Sequence, residues 1–140
     1  MVRLTPYLTF KDNAREAMAF YHSVLGGELA MDTFADNQVS EDPAEADKIM
    51  HAMLEAPGGL VLMGADTPNS MEYVKPQGVS ISLSGDDEPT LRGHWDKLAE
   101  GGTVTMPLAQ APWGDHFGML TDKFGIDWMM NITGAGAAPS

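Results

Sequence analysis

Two stretches decide the fold: Leu25-Gly26-Gly27-Glu28-Leu29-Ala30-Met31 and Glu100-Gly101-Gly102-Thr103-Val104-Thr105-Met106. Both hold a Gly–Gly step and close on Met, at an offset of 75 residues. Carried backwards without a gap, that offset lays Phe20 on Trp95, Leu8-Thr9 on Leu83-Ser84 and Leu4-Thr5 on Val79-Ser80. The later halves match at an offset of 66: Met53-Leu54 on Met119-Leu120, Gly59 on Gly125, Leu62 on Trp128 and Met63 on Met129. The difference of nine residues falls between residues 31 and 53. There the polar run Ala35-Asp36-Asn37-Gln38-Val39-Ser40-Glu41-Asp42-Pro43 reads as a surface loop inserted into the first copy. The ordered matches indicate a duplication.

Each copy reads strand, helix, then three strands. The first strand is expected over 4–10, short or at an edge because of Pro6. Asn13-x-x-Glu16 has the form of a capping box, and Ala17, Phe20, Tyr21 and Val24 make one apolar helix face that ends at Gly26. The second helix follows Asp86 and Asp87, takes Pro89 in its first turn, buries Leu91, Trp95 and Leu98, and stops at Gly101. Gly93 lies inside it at a cost of about 1 kcal/mol against Ala.

The remaining strands are expected over 28–34, 48–56 and 60–65, then 103–109, 116–121 and 126–132. Pro57-Gly58-Gly59 and Asp122-Lys123-Phe124-Gly125 turn between the last two strands of each copy. Val79, Ile81 and Leu83 alternate with Ser80, Ser82 and Ser84, giving an apolar face and a small polar face that meets either a cavity or water. The fold class is α+β: two βαβββ modules, about 3–66 and 78–132, in one domain over 1–133. Mixed curved sheets, each with a helix on its outer face, are expected to leave a groove. Residues 134–140 read as a flexible Gly/Ala-rich tail.

Composition narrows the function. The formal net charge of −12 opposes binding to nucleic acid or to anionic membranes. No apolar run reaches the roughly 20 residues of a membrane span, and the N-terminus lacks a signal-peptide core. The absence of Cys excludes disulfides, thiolate metal sites and Cys nucleophiles, and fits a cytoplasmic location. The eleven Met residues suit either a soft core or an adaptable apolar pocket.

Three motifs carry a family resemblance. The first runs from Pro6-Tyr7-Leu8 through Phe20-Tyr21 to Leu25-Gly26-Gly27, and the second is Met50-His51-Ala52. The third is Trp113-Gly114-Asp115-His116-Phe117-Gly118, then Asp122-Lys123-Phe124-Gly125, Trp128 and Asn131. Over 3–132 the chain resembles the PhnB-like branch of the glyoxalase/bleomycin-resistance (vicinal oxygen chelate) superfamily. The resemblance implies the paired βαβββ fold and a groove, with homodimers common, but no single reaction. Its members include glyoxalases, extradiol dioxygenases, fosfomycin-resistance enzymes and metal-free antibiotic-binding proteins. The methyltransferase label sometimes given to the branch finds no glycine-rich nucleotide loop in this sequence.

Metal-dependent members take His and Glu from the first and last strands of each module. The corresponding positions here fall near Thr5–Tyr7, Ser80–Ser82, Met63 and Met129, none of them His, Asp or Glu. Thioethers suit a hard divalent ion poorly. The expectation is therefore no metal centre of the usual kind and no cofactor.

His22 and His94 lie on helices, whereas His51 and His116 fall on corresponding third strands. The latter two are either ordinary strand residues, a pair for an anionic ligand or acid–base chemistry, or an atypical metal site. Trp113, Trp128 and Tyr7 suit an aromatic wall, and Asn131 suits orienting a ligand. No Ser-His-Asp or nucleophile-elbow pattern is present. The expected ligand set is Tyr7, His51, Met63, Ser80, Ser82, Trp113, His116, Trp128, Met129 and Asn131, in a homodimeric protein that binds a small molecule. The alternative is a lyase, isomerase or dioxygenase-type enzyme using His51 or His116, with or without an atypical metal.

Overall fold

A computed structural model describes residues 2–37 and 43–134. The chain divides into two compact units, 1–75 and 76–140. Unit 1 runs β1 (Tyr7–Phe10), α1 (Ala14–Leu25), β2 (Glu28–Thr33), α2 (Phe34–Asn37), a 3₁₀ turn at Pro43–Glu45, β3 (Ile49–Ala56), a 3₁₀ turn at Pro57–Gly59 and β4 (Leu60–Asp66). Unit 2 runs β5 (Ile81–Gly85), α3 (Glu88–Ala99), β6 (Thr103–Gln110), β7 (His116–Thr121) and β8 (Asp127–Ile132). The sheets are ordered β1-β4-β3-β2 and β5-β8-β7-β6. In each, the first and last strands pair in parallel and the other pairs are antiparallel.

The duplication is written into the strand registers. Tyr7 pairs with Met63 as Ser82 pairs with Met129. Met53 pairs with Met63 as Met119 pairs with Met129, and Leu29 with Leu54 as Val104 with Leu120. Both sequence offsets are thus obeyed by hydrogen-bonded partners. The glycine pairs have matching reasons. Gly26 and Gly101 hold φ of 75° and 72°, which favours Gly. A Cβ on Gly27 would strike the carbonyl oxygen of Glu55, and one on Gly102 that of Thr121.

Helix α1 buries Ala17, Met18, Tyr21, Val24 and Leu25 on its sheet, while Phe20 stays half-buried at the rim. Each large apolar side chain so buried contributes roughly 1.5–3 kcal/mol. The expected capping box does not form, because the Asn13 side chain makes no cap hydrogen bond. Asp66, at the end of β4, takes its place: Oδ1 accepts from Ala14 N–H at 2.9 Å and Oδ2 from Ile49 N–H at 2.8 Å. A buried carboxylate there satisfies donors on two elements and meets the positive end of the helix.

In unit 2 the local cap does form. Asp87 accepts from Thr90 N–H at 3.3 Å and from Thr90 Oγ at 2.8 Å. Leu91, Trp95 and Leu98 face the sheet as expected. Trp95 lies so close over Gly118 that a Cβ there would come within 2.7 Å of the indole. Gly93 is exposed and faces open space, so it serves no close approach.

The ordered first strand begins at Tyr7, not residue 4, and Val2 and Leu4 lie exposed before it. Pro6 still contributes its carbonyl, which accepts from Met63 N–H at 3.0 Å. The expected loop over 35–43 instead starts with one helical turn. Thr33 N–H donates to Asp36 Oδ2 at 3.0 Å and Asp36 N–H to Thr33 Oγ at 3.1 Å, the reciprocal box of a helix start. Phe34 is buried beside it. The rest of that loop, 38–42, and the tail from 135 on lie outside the described residues. No described helix is long and apolar enough to cross a membrane.

Candidate ligand-binding faces

Period-two alternation gives each sheet a helix-covered face and an open face. In unit 1 the covered face carries Leu8, Phe10, Ala52, Leu54 and Leu62, all buried. The open face carries Tyr7, Met63, Met53 and Ala30 as one row of cross-strand partners. His51 lies on the same face, with Asp32 directly opposite it. The rings of Tyr7 and His51 stack at 5.9 Å between centroids and 28° between planes. Tyr7 is 49% exposed, and partial burial pushes its phenol above the usual range. Of the expected residues, Tyr7, His51 and Met63 are therefore brought together.

In unit 2 the covered face carries Leu83, Leu120, Trp128, Met130 and Ile132. The open face presents Ser82, Met129, Met119 and Met106 in one row. Ser84, Asn131 and Phe117 form the next row. Ser80 precedes β5 and is half-buried. Asn131 donates to Asp115 Oδ2 at 2.9 Å. Trp113 is 59% exposed and meets Phe117 edge-on at 5.7 Å. Ser82, Met129 and Asn131 thus share a face, with Trp113 at its end through Phe117.

Two expected site residues are placed elsewhere. Trp128 is on the covered face, 2% exposed, and its Nε1–H donates to Asp122 Oδ2 at 2.9 Å. It is a core side chain. His116 pairs with Ile132 and shares the parity of Gly118 and Leu120, so it points to the face opposite Phe117 and Met119. His51 corresponds to Phe117, not to His116. A displacement of one residue reverses the face, so the two imidazoles are not an equivalent pair. His116 Nδ1 is buried without a hydrogen-bond partner.

Sequence reasoning missed Asp32, Met53, Met119 and Phe117. The offset of 66 was the signal available, since it pairs Met53 with Met119 and His51 with Phe117.

A separate polar cavity of about 350 Å³ opens beside the start of α1, lined by Asp12, Arg15, Asp47, Lys48 and Asn69 among others. Lys48 is 9% exposed and pairs with Asp12 at 2.5 Å, donates to Asn69 Oδ1 at 2.9 Å and reaches the Thr67 carbonyl at 3.3 Å. Its three protons are thus engaged within the unit, which makes Lys48 a structural tie.

The donor set does not fit the divalent ion of the metal-dependent superfamily members. Their first- and last-strand positions hold Tyr7 and Met63 in one unit, Ser82 and Met129 in the other. Among the described residues no three His, Cys, Asp or Glu side chains group as metal ligands.

Comparison with known proteins agrees with this architecture. The sequence profile of the Glyoxalase/Bleomycin resistance protein/Dioxygenase superfamily matches residues 3–130. Protein YjdN of Escherichia coli K12 is 30% identical, over 92% of this chain and 94% of its own length. The crystal structure of protein PA1353 from Pseudomonas aeruginosa superposes with a TM-score of 0.83 at 44% identity, covering 94% of this chain and 98% of that one. A PhnB protein from Bacillus cereus shares the fold with a TM-score of 0.72 at 24% identity, covering 94% and 99%. With the profile matching nearly its whole length, the chain belongs to the glyoxalase/bleomycin resistance protein/dioxygenase superfamily.

Proposed function

We propose that this chain binds a small organic molecule on the open faces of its sheets, without the divalent metal centre of its metal-dependent relatives. One observation carries the reading: each sheet leaves a helix-free face of half-exposed thioethers, aromatic rings and small polar groups. Such surfaces are apolar enough to hold a ligand, polar enough to orient it, and adaptable because Met repacks easily. The same reading takes the protein as a cytoplasmic homodimer, in line with general expectation for oligomers.

Native mass spectrometry of gently purified full-length protein, with metal analysis, tests it. The expected result is an organic mass increment and no stoichiometric metal. One tightly held nickel, zinc or iron per chain, lost in His51→Gln, would overturn it. A second reading, a lyase or isomerase, is favoured by the position of His51 on the open face beside Tyr7. It requires that turnover on an identified substrate disappear in His51→Gln and persist in His116→Gln.

A further inference from the structure

None of the eight strands contains a Lys or an Arg. All eight cationic side chains of the chain sit on helices, turns and connecting segments. Carboxylates do occur on the strands. On the open face of unit 1, Asp32 stands opposite His51, and Glu28 stands directly opposite Glu55. Among the described residues no cation pairs with Glu28, Asp32 or Glu55. Like charges facing each other across two strands are destabilising, and here nothing on the strands offsets them. The face is therefore a negative field laid over an apolar and aromatic floor.

Resting on the small-molecule reading above, we infer that the open face of unit 1 takes an organic cation: an aromatic or alkyl-rich molecule with a positively charged nitrogen. Its apolar body packs on the Tyr7–His51 stack and on Met53 and Met63. Its charge lies toward Asp32, with Glu28 and Glu55 deepening the potential. Aromatic faces and thioethers are both favourable neighbours for a desolvated cation, and Asp32 supplies the opposite charge. An anion of the same shape finds no Lys or Arg on this sheet and meets three carboxylates.

The test is calorimetric titration of the full-length protein with two acridines of similar shape, 10-methylacridinium and acridine-9-carboxylate. The cation is expected to bind at least about tenfold more tightly, and its affinity to fall about tenfold in Asp32→Asn, as suits the loss of a charged contact. Tyr7→Leu should weaken it too. Glu100→Gln, which removes one negative charge at the end of α3, should leave it unchanged.

If the carboxylate binds as well as the cation, the charge assignment is overturned while small-molecule binding stands. If Glu100→Gln weakens the cation as much as Asp32→Asn does, overall charge holds it and the site is wrong. Binding of neither acridine overturns this assignment, and the native mass measurement decides the broader reading separately.

Discussion

Asp122 is 3% exposed, and its oxygens accept from Phe124 N–H at 2.8 Å, Ile126 N–H at 3.1 Å and Trp128 Nε1–H at 2.9 Å. The turn before β8 and the largest buried side chain of unit 2 therefore hang on one carboxylate. Removing it leaves three donors short of an acceptor, so Asp122→Ala should cost about 2–4 kcal/mol. Urea unfolding measures this, and a loss under about 0.5 kcal/mol would show that water replaces the carboxylate freely. Sequence gave the Asp122–Gly125 turn but not this role, because a turn aspartate and a core anchor look alike until the chain folds back. His116 shows the same blindness at closer range, since its motif was legible and its face was not. Asp12 tests pairing by pH. Its hydrogen bond to Lys48 holds its carboxyl below the usual range. A lowered pKa stabilises the fold above the ordinary Asp value and is lost as pH falls through the folded-state value. Asp12 is more than half exposed, so the effect should not exceed about 1 kcal/mol. The stability gap between wild type and Asp12→Asn, followed by thermal melts, should be present at neutral pH and close below about pH 4. A gap that widens in acid would contradict the pairing.

At the scale of elements, the two long helices, α1 and α3, solve one problem differently. Helix α3 is capped within its own sequence by Asp87, whereas α1 is capped from 52 residues away by Asp66. Asn13→Ala should therefore change stability by less than about 0.5 kcal/mol, although a local N-cap usually contributes about 1 kcal/mol. Asp66→Ala should cost about 2–3 kcal/mol, since it leaves the Ala14 and Ile49 amides unsatisfied in a buried place. Equilibrium unfolding of both variants separates the cases, and the reverse order would restore Asn13 as the cap. Helices α1 and α3, the strand order within each copy and the duplication were legible because periodicity and spacing are local or self-referential signals. The capping of α1 was not, because it depends on where β4 ends in space. The start of β1 was overextended for a similar reason. Leu4 continues the apolar pattern, but the register that β4 offers begins with Tyr7 opposite Met63.

The whole molecule carries a net charge of −12, and its ion pairs include Lys48 with Asp12 and Glu45, and Arg92 with Glu88. The composition announced this excess. It did not announce that the strands themselves are free of Lys and Arg, which follows only once their limits are known. With 20 Asp and Glu against 8 Lys and Arg, repulsion among carboxylates is the larger long-range effect, and repulsion of this kind opposes the compact state. Salt should then stabilise the fold. Raising sodium chloride from about 0.01 M to about 1 M shortens the Debye length from about 30 Å to about 3 Å and screens nearly all surface repulsion. Relief of about 1 kcal/mol would raise the thermal midpoint by roughly 4 °C in a chain of this size. The rise should be concentrated at low ionic strength, where screening changes most for distant charges, and should be nearly complete by about 0.15 M. Scanning calorimetry at several salt concentrations reads both the sign and the shape. A midpoint that falls with salt would mean that ion pairing outweighs the repulsion, and that the carboxylates of the strands are already balanced within the fold.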